Sequence, residues 1–260
     1  MKISGLRFIV LTRRSLIAAA VCAAIVVMSA VVGVNTVSEA VATASTDKIN
    51  PIYCVDTDKK VCAISFDAAW GNEQTEELLD ILDEYNVKTT FFLVGDWVRK
   101  FPESVKEIDR RGHEIGNHSD THPHMTQLSA EEKNAEIKNC SDEIEKLIGK
   151  RPALLRPPYG DYNNDVVNAV NQADMYCVQW NIDSLDWKDP SAEQIARNCT
   201  AKLEPGSIIL LHNGAKNTPQ ALPLVLREIK SMGYKIVPIG KLIPKGRYST
   251  DVQGKMHLCN

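Results

Sequence analysis

Val61-Cys62-Ala63-Ile64-Ser65-Phe66-Asp67-Ala68-Ala69-Trp70, followed by Thr75-Glu76-Glu77-Leu78-Leu79-Asp80-Ile81-Leu82-Asp83-Glu84-Tyr85, sets the fold. A short run that is apolar almost throughout reads as a strand covered on both faces, since a half-exposed strand would alternate. The second stretch carries Leu78, Leu82 and Tyr85 about one helical turn apart, the pattern of a helix with one buried face. Strand, short connection and helix form a unit that the rest of the chain repeats.

Working outward, strand-like runs are predicted at 61–66, 89–94, 114–117, 153–156, 175–179, 207–211 and 235–239. Helices are predicted at 75–85, 103–111, 130–148, 163–172, 192–203 and 220–232. Ser129 with Glu132 and Ser191 with Gln194 have the spacing of capping boxes, in which the two side chains satisfy orphan N–H groups at a helix start. Buried strands alternating with helices imply a parallel sheet covered by helices. The expected class is α/β, a distorted, seven-stranded, TIM-like (β/α) barrel spanning 51–243, one strand short of the eight-fold form. An open doubly wound sheet gives the same local pattern. Residues 244–260 show no periodicity and are read as a tail with no assigned role.

The chain has 260 residues, 44% of them hydrophobic, enough for a sizeable core. Its formal net charge of -3 argues against a nucleic-acid partner, which needs a clustered basic surface. No Gly-rich phosphate loop follows the first strand, so no nucleotide cofactor is expected. Lys2, Arg7, Arg13 and Arg14 form a basic segment, 1–14, before an uncharged stretch, 15–38. At a rise of about 1.5 Å per residue, its apolar core would span roughly 28 Å, the thickness of a bilayer's hydrocarbon. The stretch reads as a transmembrane anchor in the lipid bilayer, with the basic end cytoplasmic and the rest extracytoplasmic. A cleaved signal peptide is the alternative, because Ala40-Val41-Ala42 and Ala42-Thr43-Ala44 resemble cleavage sites. Residues 39–50 read as a linker. Cys62, Cys140 and Cys177 fall on predicted apolar faces and are expected to be buried rather than metal-bound.

Polar residues recur where the predicted strands end: Asp67, His118 and His122, Arg156, Asp183 and Asp186, and His212. A lone Asp at such a place is ordinarily a helix cap, and a lone His ordinarily a satisfied core residue. Several strand ends behaving alike point to one cleft on the face where parallel βα folds build their sites. His118 and His122 are four residues apart, which brings two imidazoles onto one side of a helical turn and suits zinc, cobalt or nickel. His124 reads as a surface loop residue, His113 as pointing away, and His257 lies in the tail.

Ser65-Phe66-Asp67-Ala68-Ala69-Trp70, His118-Ser119-Asp120-Thr121-His122, Arg156-Pro157-Pro158-Tyr159, Asp183-Ser184-Leu185-Asp186-Trp187 and Leu210-Leu211-His212 resemble, in order, the five motifs of the polysaccharide deacetylase family. This is the NodB-homology domain of carbohydrate esterase family 4, and the segment 65–73 is most similar to its sporulation and cell-wall branch. The resemblance implies hydrolysis of N-acetyl groups from the amino sugars of a cell-wall glycan, with a divalent ion, zinc or cobalt, held by His118 and His122. It implies that Asp67 is the base, His212 the acid, Asp186 the partner of His212 and Arg156 the partner of Asp67. Tyr159 would supply an oxyanion N–H, and Trp187 and Leu210 the slot for the acetyl methyl.

The sequence departs from the family pattern at Ala68, where a second Asp normally serves as third metal ligand. Disturbing even the groups around a metal's ligands costs about 10- to 100-fold in affinity, so loss of a ligand should weaken the site. Water, Asp67 or Asp120 could take the place, or the cleft could keep glycan binding without hydrolysis. Two functions follow, a metal-dependent deacetylase and a catalytically impaired glycan-binding protein. A serine nucleophile is unsupported, because Ser65 lies within a strand and lacks the flanking glycines of an exposed elbow.

Overall fold

Residue alternation along the central strand explains the architecture of this computed structural model, which describes residues 48–259. In chain order the elements begin with β1 (Cys54–Val55), β2 (Val61–Ala68), α1 (Thr75–Glu84), β3 (Thr90–Leu93), α2 (Gly95–Lys100), α3 (Pro102–Arg110), β4 (Glu114–Asn117) and α4 (Ala130–Ile148). They continue with β5 (Leu154–Leu155), α5 (Asn164–Gln172), β6 (Tyr176–Cys177), β7 (Ile182–Asp183), α6 (Ala192–Thr200) and β8 (Ile208–His212). The chain closes with α7 (Thr218–Ser231), β9 (Lys235–Ile236), α8 (Ile239–Leu242), β10 (Tyr248–Thr250) and β11 (Lys255–Leu258).

In β2, Cys62, Ile64, Phe66 and Ala68 point outward into the core shared with α1, α3 and α7, where Leu78, Leu82, Ile108, Leu222 and Val225 meet them. Ala63 joins a second core with Phe92, Leu154, Val178, Ile208 and Ile239. Both faces of the strand are covered, as the continuous apolar run requires. The main sheet runs β6-β5-β4-β3-β2-β8-β7, with β9 beside the start of β2. Its pairings are parallel throughout.

This is the expected seven-strand, curled arrangement, but it is open between β6 and β7. Ile52 extends the β6 side of this seam: its N–H donates to Cys177 O at 2.8 Å and its carbonyl accepts from Gln179 N at 2.8 Å. Cys54 bridges to Ser207 on the other side.

Several expectations need correction. β7 has two residues and was not foreseen, because so short a strand carries no period. The run at 235–239 gives a strand only at Lys235–Ile236; Pro238, which has no N–H for a ladder, caps α8 instead. α2 is a six-residue helix in a predicted connection, cut from α3 by Phe101 and Pro102. The Ser129–Glu132 capping box is complete. At the other predicted box, Ser191 accepts from Gln194 N, but the Gln194 side chain turns to Asn198 and Arg197. The tail at 244–260 is not featureless: β10 and β11 pair antiparallel and β11 pairs parallel with β1. Cys62, Cys140 and Cys177 are buried thiols.

The basic segment 1–14 and the anchor 15–38 lie outside the described residues. Among the described residues no helix is long and apolar enough to cross a membrane.

Met256 in β11 is buried against Ile52 and Val55, which makes the C-terminal hairpin part of the core. Met256→Ala should therefore lower the unfolding free energy by about 2–4 kcal/mol in a urea titration. A loss below about 0.5 kcal/mol, the range of a surface change, would show that the hairpin does not contribute to the barrel's stability.

Candidate functional site

Register brings the polar residues together. Asp67 is the partner of His212 across β2 and β8, and of Phe92 across β2 and β3. Neighbouring strands lie about 4.8 Å apart, so a carboxylate and an imidazole 145 residues apart in sequence become adjacent by hydrogen-bond pairing alone. Alternation then turns Ser65 and Asp67 to the barrel interior, opposite Phe66 and Ala68.

Arg156, the residue after β5, reaches back beneath them and is fully buried. Its Nη1 donates to Asp67 Oδ1 at 2.7 Å, and its Nη2 to Ser65 Oγ at 2.8 Å and to Gln179 O at 3.1 Å. The guanidinium lies 4.2 Å from the centre of the Phe92 ring. Phe92 can occupy the interior because position 116 is glycine; a Cβ there would stand 2.5 Å from the ring. Burial by itself would raise the Asp67 carboxyl, but Arg156, then His118 and His212, hold it below the ordinary carboxylate value.

His118 follows β4. Its Nδ1 lies 2.7 Å from the carbonyl oxygen of Arg156, which can only accept, so Nδ1 carries the proton and Nε2 offers a lone pair. That Nε2 is 3.4 Å from Asp67 Oδ2. The His118 and His122 ring centres are 4.9 Å apart. They do not share a helical turn, as the spacing suggested, but a loop in which Ser119 and His122 take positive φ values of 67° and 62°. The loop is held from outside. Glu136 on α4 accepts from the N–H groups of Asp120 and Thr121 at 2.7 and 2.8 Å, and Arg99 on α2 grips Asp120 Oδ1 at 2.6 Å. Burial holds His118 below its ordinary value and, with His118 as neighbour, pushes His122 down to about 4. Both rings are neutral near pH 7.

His212 ends β8. Its Nδ1 lies 2.7 Å from Asp186 Oδ1, its backbone N–H donates to Asp186 Oδ2 at 2.7 Å, and the Thr218 hydroxyl donates to the same oxygen at 2.7 Å. Burial pulls the imidazole down, but the hydrogen bond and charge of Asp186, helped by Asp67 and Asp183, leave it above its ordinary value. Trp70 lies along the same ring, 5.3 Å between centres and 30° between planes.

These groups surround a cleft of about 480 Å³ lined by Asp67, Trp70, His118, His122, Tyr159, Trp180, Asp183, Trp187, Leu210 and His212. Of the sequence-predicted residues, Arg156 and Asp186 stand behind the wall, bonded to Asp67 and His212. His124 stacks on Tyr159 at 4.3 Å, on the outer side, and faces Asp161. His113 is buried against Thr89 and Phe91, away from the cleft. Sequence reading missed Trp70 and Trp180 as lining residues, and Ser65, Glu136 and Thr218 as supports. Only Trp70 carried a signal, since a Trp two residues past a strand end is costly unless it covers something. Trp70, Tyr159 and Trp187 are 46%, 61% and 51% exposed, and all three rim this cleft.

The donors do not form the complete metal centre that the resemblance implies. Two neutral imidazoles are in the protonation state a metal needs. Yet among the described residues no three His, Cys, Asp or Glu side chains converge to hold an ion. Ala68 is buried in the helix-facing core, and Asp67 is already engaged by Arg156. Asp120, the other carboxylate considered, is bound to Arg99.

Residues 55–178 match the model of the polysaccharide deacetylase family. The chain is similar to a peptidoglycan-N-acetylglucosamine deacetylase of Bacillus cereus, 34% identical over 194 residues, covering 73% of this chain and 91% of that protein. It is equally similar, at 34% over 197 residues, to the uncharacterized protein YlxY of Bacillus subtilis, covering 76% of this chain but only 61% of that protein's length. Among solved structures it is similar to BA3943 of Bacillus anthracis, described as a CE4 family pseudoenzyme, with a TM-score of 0.73 and 34% identity, covering 76% of this chain and 70% of that one. A mutant of BA3943 is described as having restored enzymatic activity.

Because Asp186 raises the His212 imidazole, Asp186→Asn should lower its titration midpoint in a proton-detected NMR titration. A raised imidazole contributes stability that is fully present below its unfolded value of about 6.5 and is lost as pH rises through its folded value. The stability gap between the unmodified chain and the variant should therefore be larger at pH 6 than at pH 9. A gap that widens with pH would contradict the assignment.

Proposed function

This chain belongs to the polysaccharide deacetylase family, and we propose that it engages N-acetylated amino sugars of peptidoglycan or a related spore-wall glycan in a deacetylase cleft whose metal locus is incomplete. The observation that carries this reading is the opposed pair at the cleft floor. Asp67 is held ionised by Arg156 and His212 is held proton-rich by Asp186, as register partners on adjacent strands. Amide hydrolysis needs a proton taken from water on one side of the carbonyl and one given to the departing amine. Asp67 and His212 have the polarities for those two transfers. The Tyr159 N–H is assigned to the developing oxyanion, and Trp187 and Leu210, both in the cleft lining, to the acetyl methyl. The exposed rings of Trp70, Tyr159 and Trp187 offer flat apolar faces to sugar rings, which accounts for large aromatics left in water.

Hydrolytic power is where this chain differs. With Ala68 packed against apolar side chains, the two imidazoles would hold zinc or cobalt weakly, and acetate release should be slow. The description of BA3943 as a pseudoenzyme that a mutation reactivates supports an impaired rather than a vanished site. The reading also places the cleft outside the cytoplasmic membrane, on the strength of the basic segment 1–14 and the apolar stretch 15–38.

Acetate release from N-acetylglucosamine and N-acetylmuramic acid wall fragments, measured with and without added zinc, tests this directly. Ala68 is the last residue of β2, so the longer side chain of Ala68→Asp can leave the helix-facing core at the strand end and reach toward His118 and His122; it should tighten zinc binding by about 10-fold or more and raise acetate release. Zinc should also restore the thermal midpoint that a carboxylate buried without a partner lowers. In that background Asp67→Asn should return release to the blank. If Ala68→Asp gains neither zinc affinity nor turnover while wall oligosaccharides still bind, the cleft is a binding site alone; no binding of either oligosaccharide sinks the proposal.

A further inference from the structure

At the opposite end of the barrel from the cleft, a second and larger concavity of about 730 Å³ opens where β2 and β9 begin. Val61 lines it and Asp67 lines the cleft, so the two lie about 20 Å apart along one strand. Its walls carry Lys59, Lys60, Lys235 and Lys241, and its floor Val55, Val61, Val237, Leu242 and Leu258.

All four lysines are exposed. Lys60 donates to the carbonyl of Met232 at 3.0 Å and stands over Tyr234. The side chains of Lys59, Lys235 and Lys241 have no acidic partner among the described residues, although Lys88, Lys106, Lys138 and Lys150 elsewhere on the surface each hold one. The acid that lines the groove, Asp56, is bound to His257 at 2.9 Å. Four lysines thus line one groove, three of them without an acidic partner among the described residues, in a chain whose net charge is -3, a combination that attracts an anion from outside. Leu258, half exposed on the floor, adds an apolar strip between them.

Lysines set around an apolar floor match a ligand that alternates charge with short carbon segments. The groove is concave, with β2, β9, α8 and the end of β11 around it, which suits a strand lying in it rather than a flat bilayer lying on it. We propose that this groove is a second binding site, for a strand of phosphodiester-linked polyanion. It holds the strand while the cleft at the far end stays open, and it does not depend on the cleft being hydrolytic.

Synthetic poly(glycerol phosphate) carrying a fluorophore, titrated with the full-length chain in non-ionic detergent and followed by anisotropy, tests this. The triple variant Lys59→Gln, Lys235→Gln, Lys241→Gln should bind about 10-fold or more weakly, and its plot of log affinity against log salt should be shallower by about 2, the release expected from three lost contacts on a single strand. These positions are exposed, so the thermal midpoint should not move; Trp187→Ala, in the cleft, should leave probe binding unchanged. Equal affinity of the triple variant and the unmodified chain would overturn the proposal. So would displacement of the probe by dihexanoyl-phosphatidylglycerol at equal phosphate concentration, because the site would then read a single lipid headgroup.

Discussion

The ion pair between Asp67 and Arg156 is the constraint on which the rest of the site depends. A guanidinium that is fully buried has no water to solvate it, and removing its partner would cost about 3–5 kcal/mol. Arg156 therefore requires a carboxylate at position 67 and keeps it ionised. Ser65 Oγ and the Gln179 carbonyl take the remaining Nη2 hydrogens, so the guanidinium cannot swing away. Since apolar groups of similar volume generally serve stability as well as a buried pair does, the pair is better understood as fixing a charge in place than as holding the barrel together.

From that fixed charge the electrostatics of the cleft follow. Asp67 is stabilised as an anion from below by Arg156; His212, on the next strand, is pulled toward the cation by Asp186 behind it. Each functional group has a buried partner of opposite charge on the side away from the opening, so the two polarities persist side by side without neutralising each other. His118 belongs to the same chain of contacts, because its Nδ1–H is taken by the carbonyl of Arg156 itself. The orientation of the imidazole, the ionisation of the carboxylate and the placement of the guanidinium are one arrangement.

The repeating unit and the strand-end residues were legible in the sequence because both rest on periodicity and position. Phe66 and Asp67 announce the end of a buried strand whatever follows. Two-residue strands such as β7 were not legible, and neither was the six-residue α2, since neither is long enough to display a period. The loop bearing His118 and His122 was read as a helical turn from spacing alone; what shapes it is Glu136 and Arg99, whose positions nothing near the motif foretells. Trp180 illustrates the same limit, for it enters the cleft only because β6 stops at Cys177 and the chain crosses the open seam. The absence of a carboxylate at position 68 was plain in the sequence, but that Ala68 faces the helices could be seen only once the inner and outer faces of β2 were assigned.

The pairing of the first described strand with the last has a consequence for how the chain acquires its structure. The first described strand, Cys54–Val55, lies beside Lys255–Leu258, so the two extremities of the domain are laid against each other in parallel. Contacts of such long sequence separation form late, after the entropy of closing nearly the whole chain into a loop has been met. Synthesis from the amino end therefore produces a sheet whose lower opening lacks its cover until β11 has emerged. A chain cut before β11 would lack Met256 and leave the inner core unsealed, even though every residue of the cleft had already been made.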